Sequence, residues 1–228
     1  MRYALYTTPA QNDPLAEAAA RWLGRDAFTD ERFEPPPVEG LETTTPLSLR
    51  ADPVRYGFHG TMKAPFRLAE GRREDELVAA LDAFARETVP VAIQELVIRR
   101  LGSFFAFVPN ERVAALDSLA ERTVIAFEAF RAPLAEAEIA RRRTAGLTLV
   151  EEENLVRWGY PYVFDAFRYH MTLTGRVPRD EAEAVEKALA AWFADFVGKP
   201  FVVDRLALFV EPEPGAPFRV RHQAMLGE

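Results

Sequence analysis

The sequence predicts an α+β protein with two lobes, each an antiparallel sheet covered by helices, and a central cleft between the lobes. Three observations support this prediction. Short segments that alternate apolar and polar residues are interleaved with longer segments of helical periodicity. The order of these segments repeats once along the chain. The last two predicted strands form a hairpin around the turn EPEPG at 211–215.

Length and composition exclude several classes of protein. The chain has 228 residues, enough to bury a substantial core, and its 49% hydrophobic and 28% charged residues are typical of globular proteins. It has no cysteine and no signal-peptide pattern, so disulfides and thiolate metal sites are excluded and a cytoplasmic location is expected. The net charge of −7 argues against strong nucleic-acid binding, and no apolar run is long enough for a membrane span.

The first elements are a strand, a helix and a loop. Residues 2–8 alternate and end at Pro9, as a short strand does. Residues 14–23 form an apolar helical stripe after Asp13, which is typical of an N-cap. Residues 24–53 are rich in Pro, Glu and Thr, and this composition predicts a long surface loop.

Helical or alternating periodicity defines most of the remaining elements. In chain order they are a helix over 74–87, strands over 90–99 and 103–109, a helix over 110–130, a helical segment over 132–153, a helix over 180–196, and closing strands over 201–210 and 218–226.

Two further predicted strands, 55–66 (RYGFHGTMKAPF) and 167–175 (FRYHMTLTG), carry the same polar pattern. In each, an aromatic residue precedes a histidine and a threonine follows two positions later. Because side chains of a strand alternate between its faces, the histidine and threonine of each motif lie on one face. The motif residues are His59 and Thr61 in the first strand, and His170 and Thr172 in the second.

The two histidines are 111 residues apart, and a helix, a proline and a strand follow each of them. This repeat predicts one bilobal domain over 1–228, with pseudo-repeats of roughly 1–100 and 101–228. A pseudo-twofold axis would bring the two histidine strands together across the cleft.

Two imidazoles that face each other across a cleft can act as a general acid and a general base near neutral pH. A threonine hydroxyl on the same face can donate a hydrogen bond to a phosphoryl oxygen as negative charge develops there. The arrangement therefore indicates phosphodiester chemistry with His59 and His170 as catalytic residues and Thr61 and Thr172 as phosphate-binding residues. No cofactor and no metal is expected, since no Asp or Glu stands at ligand spacing beside the histidines.

Several other residues have two open interpretations. Lys63 shares the predicted face of His59 and is a candidate phosphate-binding residue, or a solvated lysine at the strand end. Arg168 shares the predicted face of His170 and is a second candidate, or the partner of a salt bridge to the other lobe. The run 141–143 (RRR) is either a solvated helix face or one anion site. The aromatic turn at 158–162 either stacks on a base or forms a satellite core.

The motifs HGT at 59–61 and HMT at 170–172, in duplicated halves, resemble the paired H-x-T motifs of the two-histidine (2H) phosphoesterase superfamily. That superfamily includes LigT-like RNA 2′,3′-cyclic phosphodiesterases and cyclic-nucleotide phosphodiesterases. The segments WLGRD, RYGFHGTMKAPF, FRAPL, RWGYPYV and FRYHMTLTG further resemble a bacterial family of unassigned substrate, encoded beside phosphonate-utilisation genes. This likeness covers nearly the whole chain. Gly60 and Met62 depart from the Ala and Leu expected there, on the face away from the cleft.

The resemblance implies a LigT-like fold and a metal-independent phosphoesterase that acts on a cyclic phosphodiester. The expected partner is a small phosphorylated substrate, a nucleotide or a ribose cyclic phosphate, and the oligomeric state is open. A second hypothesis is a binding module that retains the cleft and holds a phosphorylated nucleotide without turnover. A third is a purely structural duplicated domain, which the matched polar faces argue against.

Overall fold

The computed structural model describes residues 1–41, 49–144 and 146–227, and these contain eight β-strands and seven α-helices. The strands are β1 (Arg2–Thr7), β2 (Gly60–Phe66), β3 (Val91–Leu101), β4 (Phe104–Pro109), β5 (Met171–Thr172), β6 (Lys199–Val203), β7 (Arg205–Glu211) and β8 (Arg219–Met225). The helices are α1 (Pro14–Leu23), α2 (Ala51–Tyr56), α3 (Glu74–Arg86), α4 (Ala114–Ala126), α5 (Glu136–Arg143), α6 (Leu149–Trp158) and α7 (Ala182–Trp192).

All eight strands belong to one antiparallel sheet in the order β6-β3-β4-β5-β2-β1-β7-β8. The central pair is β5 and β2, so the segments that follow the two histidines are neighbours, as the repeat predicts. Because this pair joins them, the two sheets expected from the two lobes form one continuous sheet. The predicted α+β class with an antiparallel, helix-covered sheet is confirmed.

The sheet has the predicted twofold pattern about its central pair. Strand β1 lies between β2 and β7 as β4 lies between β5 and β3. Along the chain, however, β3 pairs with β4, and the repeat boundary near residue 100 runs between these two paired strands. Strand β7, from the second half of the chain, pairs with β1 from the first half. Each half of the sheet therefore contains strands from both repeats.

The two faces of the sheet differ in what covers them. One face carries the main core, where α3 packs on β7 and β8 and α4 packs on β2. The other face carries a smaller apolar cluster of Ala4, Tyr6, Ala27, Ala207, Phe209 and Phe218. Leu5 belongs to the main core and Tyr6 to the small cluster, as the alternation along β1 requires. The candidate site lies on the face of the small cluster.

Helix α1 supports the central strands from the core side. It spans the predicted residues 14–23, and Asp13 accepts a hydrogen bond from the Leu15 backbone N–H at 2.8 Å, as an N-cap does. The buried Trp22 indole donates to the Leu173 carbonyl at 2.9 Å, immediately after β5. This bond ties the second histidine segment to the helix layer.

Both predicted histidine strands are shorter than expected. Residues 51–56 form helix α2, and Gly57 follows with a φ of 76°, which breaks the extended conformation before β2 begins at Gly60. Strand β5 contains only residues 171–172, because the Leu173 and Thr174 N–H groups both bond to the Phe105 carbonyl and interrupt the ladder. Each histidine consequently precedes its strand instead of lying within it.

Three other segments differ from prediction. The helical segment over 132–153 consists of α5 and the start of α6. The closing strand over 201–210 divides at Asp204 into β6, which pairs with β3, and β7, which pairs with β1. Residues 42–48 of the predicted loop lie outside the described residues. In the part of the chain that the structure describes, no helix has the length and apolar character needed to cross a bilayer.

Candidate functional site

The antiparallel register of β2 and β5 pairs the two motifs crosswise. Gly60 lies opposite Met171. In antiparallel pairing the neighbouring positions run in opposite directions, so His59 stands across from Thr172 and Thr61 across from His170. All four residues are half-buried. The sequence predicts that the four come together, and the register adds that each histidine faces the threonine of the other motif.

The four side chains line two cavities on the same side of the sheet. One cavity, of about 370 Å³, is lined by His59 and Thr172 together with residues of α2 and of the segment after β5. The other, of about 230 Å³, is lined by Thr61 and His170 together with Tyr160, Tyr162 and Arg168. Each cavity thus contains one imidazole and one threonine hydroxyl.

His59 is held by stacking and by one backbone hydrogen bond. Its ring stacks on Tyr6, with centroids 3.8 Å apart and planes 21° apart. Its Nδ1 lies 2.9 Å from the Gly57 carbonyl oxygen. Because a carbonyl can only accept, Nδ1 carries the proton and the neutral ring presents its lone pair at Nε2.

His170 is held in the same way. Its Nδ1 lies 2.7 Å from the Arg168 carbonyl oxygen, again the carbonyl two residues earlier in the chain. Its ring centroid lies 5.8 Å from that of Phe104 on β4. The two motifs therefore fix the same tautomer by the same local bond, and each leaves Nε2 available for proton transfer.

The protonation of both imidazoles is set mainly by burial. Burial lowers the pKa of His59 to about 4; the hydrogen bond to Gly57 opposes this change, and the charge of a protonated His170 adds to it. Burial also lowers the pKa of His170, again against the effect of its backbone hydrogen bond. At neutral pH, both rings of the ligand-free protein are therefore neutral.

Lys63 does not reach this site, which corrects the sequence-based expectation. Its ammonium group lies on the opposite, helix-covered face, where it donates to the Val124 carbonyl at 3.0 Å and to the Glu128 carboxylate at 2.8 Å. The cause is an irregularity in the pairing of β1 with β2: Tyr6 pairs with Thr61, but the adjacent Leu5 pairs with Lys63. The extra residue, Met62, reverses the direction of the side chains that follow it.

Arg168 lies at the edge of the second cavity. Its guanidinium Nη1 donates to the backbone carbonyls of Phe167 at 2.7 Å and of Asp165 at 3.1 Å. The side chain is exposed, and no ion pair involves it among the described residues. The salt bridge to the other lobe is therefore not observed, and the cation remains accessible to a ligand.

Aromatic residues surround both imidazoles; from the sequence, the turn 158–162 could stack on a base or form a satellite core. Tyr6 stacks on His59, and the ring of Tyr56 lies 6.3 Å from that of His59. Tyr160 and Tyr162, from the turn after α6, line the cavity of His170 with their rings 5.5 Å apart. Tyr6 alternates on β1 with buried core residues, so the pattern alone could not distinguish a cleft wall from a core position.

Comparison with known proteins identifies the family. Residues 61–219 match a family model described as a protein of unknown function, DUF1045. The chain belongs to this family.

Two curated relatives are each named ribose 1,5-bisphosphate phosphokinase PhnN. The protein of Janthinobacterium sp. (strain Marseille) is 40% identical over 221 residues, which cover 95% of this chain and 49% of the relative. The protein of Laribacter hongkongensis (strain HLHK9) is 36% identical over 220 residues, which cover 96% of this chain and 50% of the relative. This chain thus spans about half the length of the curated relatives it matches. The expected membership of a family of unassigned function is confirmed by the family model, and both relatives carry the name PhnN.

Solved structures align over the whole chain at low identity. A Thermus thermophilus protein has 19% identity and a TM-score of 0.46, covering 100% of this chain and 98% of its own. Escherichia coli LigT complexed with 3′-AMP has 11% identity and a TM-score of 0.43, with the same coverage.

Proposed function

We propose that this protein is a phosphoesterase that hydrolyses a cyclic phosphodiester, with His59 and His170 as an acid–base pair. Thr61 and Thr172 bind the phosphoryl oxygens. The observation that carries the proposal is the shared geometry of the two motifs. Each imidazole donates Nδ1–H to the carbonyl two residues before it, has no partner for Nε2 among the described residues, and has the other motif's threonine across the strand pair.

The reaction that fits this geometry is an in-line displacement at phosphorus. One imidazole accepts a proton from water, the water oxygen forms a bond to phosphorus, and the bond from phosphorus to one ring ester oxygen breaks. The other imidazole donates its proton to that leaving oxygen, which becomes a hydroxyl. The products are a phosphate monoester and an alcohol on the same molecule. Threonine hydroxyls donate to the non-bridging oxygens as charge develops on them.

We assign the base role to His59 and the acid role to His170. His59 has the more strongly lowered pKa, so it is the imidazole that stays neutral over the wider pH range. An acid must be protonated before reaction, and the negative charge of a bound phosphodiester favours the imidazolium form. Substrate binding therefore raises the pKa of His170, and the ring takes up a proton from solvent before the reaction. The mechanism uses side chains for every proton transfer and assigns no step to a metal.

The substrate class we propose is a ribose cyclic phosphate linked to phosphonate metabolism. Two observations support it. The relatives carry the name of a ribose 1,5-bisphosphate phosphokinase, and this chain matches about half of each. The cavities of about 370 and 230 Å³ suit a sugar phosphate. Arg168, at the edge of the second cavity, contacts the sugar or its phosphate. Lys63 has no role in binding phosphate.

The alternative function is a binding module without turnover. One observation favours it: burial lowers the pKa of both imidazoles, so the ligand-free site holds no protonated acid at neutral pH. The two functions differ in one measurable respect. An enzyme converts its ligand, whereas a binding module releases it unchanged.

A direct test is a hydrolysis assay on EDTA-treated protein with a panel of cyclic phosphodiesters, followed by phosphorus NMR. Ribose cyclic phosphates and nucleoside 2′,3′-cyclic phosphates form the panel, with a linear phosphodiester for comparison. The proposal requires conversion of a cyclic resonance to a monoester resonance without added metal. Binding of a panel member with no conversion supports the binding module, and conversion that EDTA abolishes contradicts the proposed mechanism.

A further inference from the structure

One arginine of the run that ends α5 turns towards the site. Arg141 and Arg143 are exposed, and Arg143 pairs with Glu152. Arg142 is half-buried, and its guanidinium carbon lies 5.4 Å from the centroid of the Tyr160 ring. Its Nε atom is buried and has no hydrogen-bond partner among the described residues. The three arginines therefore differ in exposure and in contacts, which the sequence RRR alone does not reveal.

A partly desolvated guanidinium without an ion pair is unfavourable in the ligand-free protein. None of the ion pairs among the described residues involves Arg142. Burial lowers the pKa of this guanidinium; Tyr160 and the Glu138 carboxylate oppose this change, and the cations Arg141 and Arg2 add to it. A bound anion would offset the unfavourable free energy of this partly buried charge.

The location of Arg142 connects it to the candidate site through Tyr160. That tyrosine lines the cavity that also contains Thr61 and His170. Arg142 therefore lies against the wall of this cavity, apart from the four motif residues. It contacts a residue of the cavity wall and takes no part in the proton transfers.

A second cationic cluster lies close to the same corner. Arg2 and Arg55 both donate to the buried carboxylate of Glu211, so these three side chains together carry one positive charge. Arg2 is near enough to Arg142 to affect its protonation. A protein with a net charge of −7 thus concentrates positive charge beside the cleft. A local positive field of this kind attracts a multiply charged anion.

We propose that Arg142 binds a second phosphate group of the substrate, a monoester on the sugar whose cyclic phosphate lies between His59 and His170. The inference rests on the function proposed above and specifies its substrate. Guanidinium groups bind phosphate through two parallel hydrogen bonds. Only the Nε of Arg142 is buried, and no hydrogen bond among the described residues uses its two Nη groups, so these groups supply such a pair. Arg142 is thereby a specificity-determining residue, and the preferred substrate is a sugar that is both cyclic-phosphorylated and terminally phosphorylated.

The kinetic test compares ribose 2,3-cyclic phosphate with the same compound carrying a 5-phosphate. Wild-type protein should favour the 5-phosphorylated compound by about 10–100-fold in kcat/KM, the range of one charge-assisted contact. In Arg142→Gln this ratio should fall towards one, and in Arg142→Lys it should be intermediate. Arg141→Gln, an exposed neighbour on the same helix, is the matched control and should keep the wild-type ratio. Melting curves of each variant establish that it is folded.

A binding test separates this inference from the proposed function. Calorimetry measures the binding of ribose 5-phosphate to wild-type, Arg142→Gln and Arg141→Gln proteins without any turnover. If no cyclic phosphodiester is hydrolysed but only Arg142→Gln binds at least about 10-fold more weakly, the proposed function fails and the phosphate site stands. The inference is overturned, and the proposed function stands, if cyclic phosphates are hydrolysed without a preference for the 5-phosphorylated compound. The same conclusion follows if Arg142→Gln and Arg141→Gln reduce that preference equally.

Discussion

Single hydrogen bonds and stacking contacts set the chemistry of the two imidazoles. Each Nδ1 is bound to a backbone carbonyl of its own motif, at 2.9 Å for His59 and 2.7 Å for His170. Backbone carbonyls are fixed by the fold, so the rings are oriented before substrate binds. Tyr6 holds the His59 ring from one side. The tautomer and the orientation of each ring are therefore set before a ligand binds.

The threonines should contribute less than the histidines but should both be required. Replacing Thr61 or Thr172 with Val removes a hydroxyl without changing the shape of the side chain. Each change should lower kcat by about 10–10³-fold, as expected for loss of one donor to a developing negative charge. Ser103→Ala, which alters another hydroxyl in the cavity of His59, is the control and should have little effect. Steady-state kinetics on the best substrate provide the measurement, and a Val variant that equals wild type removes that threonine from the mechanism.

The lowered pKa of His59 predicts a specific dependence of stability on pH. The folded-state pKa of His59 is about 4, below the ordinary 6.5. Between these two pH values the imidazole binds a proton in the unfolded chain but not in the folded chain. Stability should thus fall as pH falls from 6.5 to 4, by at most about 3 kcal/mol from this residue. Urea unfolding at pH 7.5 and pH 5 should show a smaller decrease for His59→Gln than for wild type. Equal decreases would mean that His59 is not buried in its neutral form.

At the scale of elements, the ends of β2 and β5 determine which side chains reach the site. The positive φ of Gly57 ends α2 and turns the chain, and the irregularity at Met62 sends Thr61 to the cleft and Lys63 to the core side. The sequence pattern could not predict this reversal, because a bulge leaves an alternating sequence unchanged. The helix over 14–23 and the hairpin at Gly102 could be predicted, since caps and turns are local signals.

The position of Lys63 predicts an effect on stability and none on catalysis. Its ammonium is buried, with Glu128 as its ion-pair partner. Glu128→Gln leaves that charge without a counterion and should lower the free energy of unfolding by about 3 kcal/mol. Lys63→Met should destabilise less, because Glu128 still pairs with Arg131. Neither variant should change KM for the substrate, and a large rise in KM with Lys63→Met would restore a phosphate-binding role for this residue.

Gly60 predicts a packing constraint between the two motifs. A Cβ atom at this position would lie 2.6 Å from the Tyr169 ring and 2.7 Å from the Thr7 hydroxyl, which are joined by a hydrogen bond of 2.9 Å. Gly60→Ala should therefore destabilise the protein by about 1–3 kcal/mol. Adding Tyr169→Leu should recover part of the loss by making room. Chemical denaturation measures both variants, and an alanine variant as stable as wild type would show that the neighbours move without cost.

At the scale of the whole molecule, the repeat in the sequence explains why the two motifs meet. Matching halves predicted that the histidine segments would be adjacent, and β2 and β5 are the central pair of the sheet. What the repeat could not predict is the pairing of strands from different halves of the chain that are far apart in sequence, β7 with β1 and β6 with β3. Pairing between distant strands depends on the complete sheet and not on local pattern. The inward turn of Arg142 is likewise a consequence of how α5 packs near Tyr160.

The central claim is that two imidazoles from the two halves of the sheet act as one catalytic unit. It is tested most directly by kcat/KM for His59→Ala, His170→Ala and the double variant, on a cyclic phosphodiester that the wild-type protein hydrolyses in EDTA. Each single change should remove most of the activity, by about 10²–10⁴-fold, and the double variant should be little worse than either. A double variant whose loss equals the product of the two single losses would contradict the claim, because it would show two independent contributions to binding.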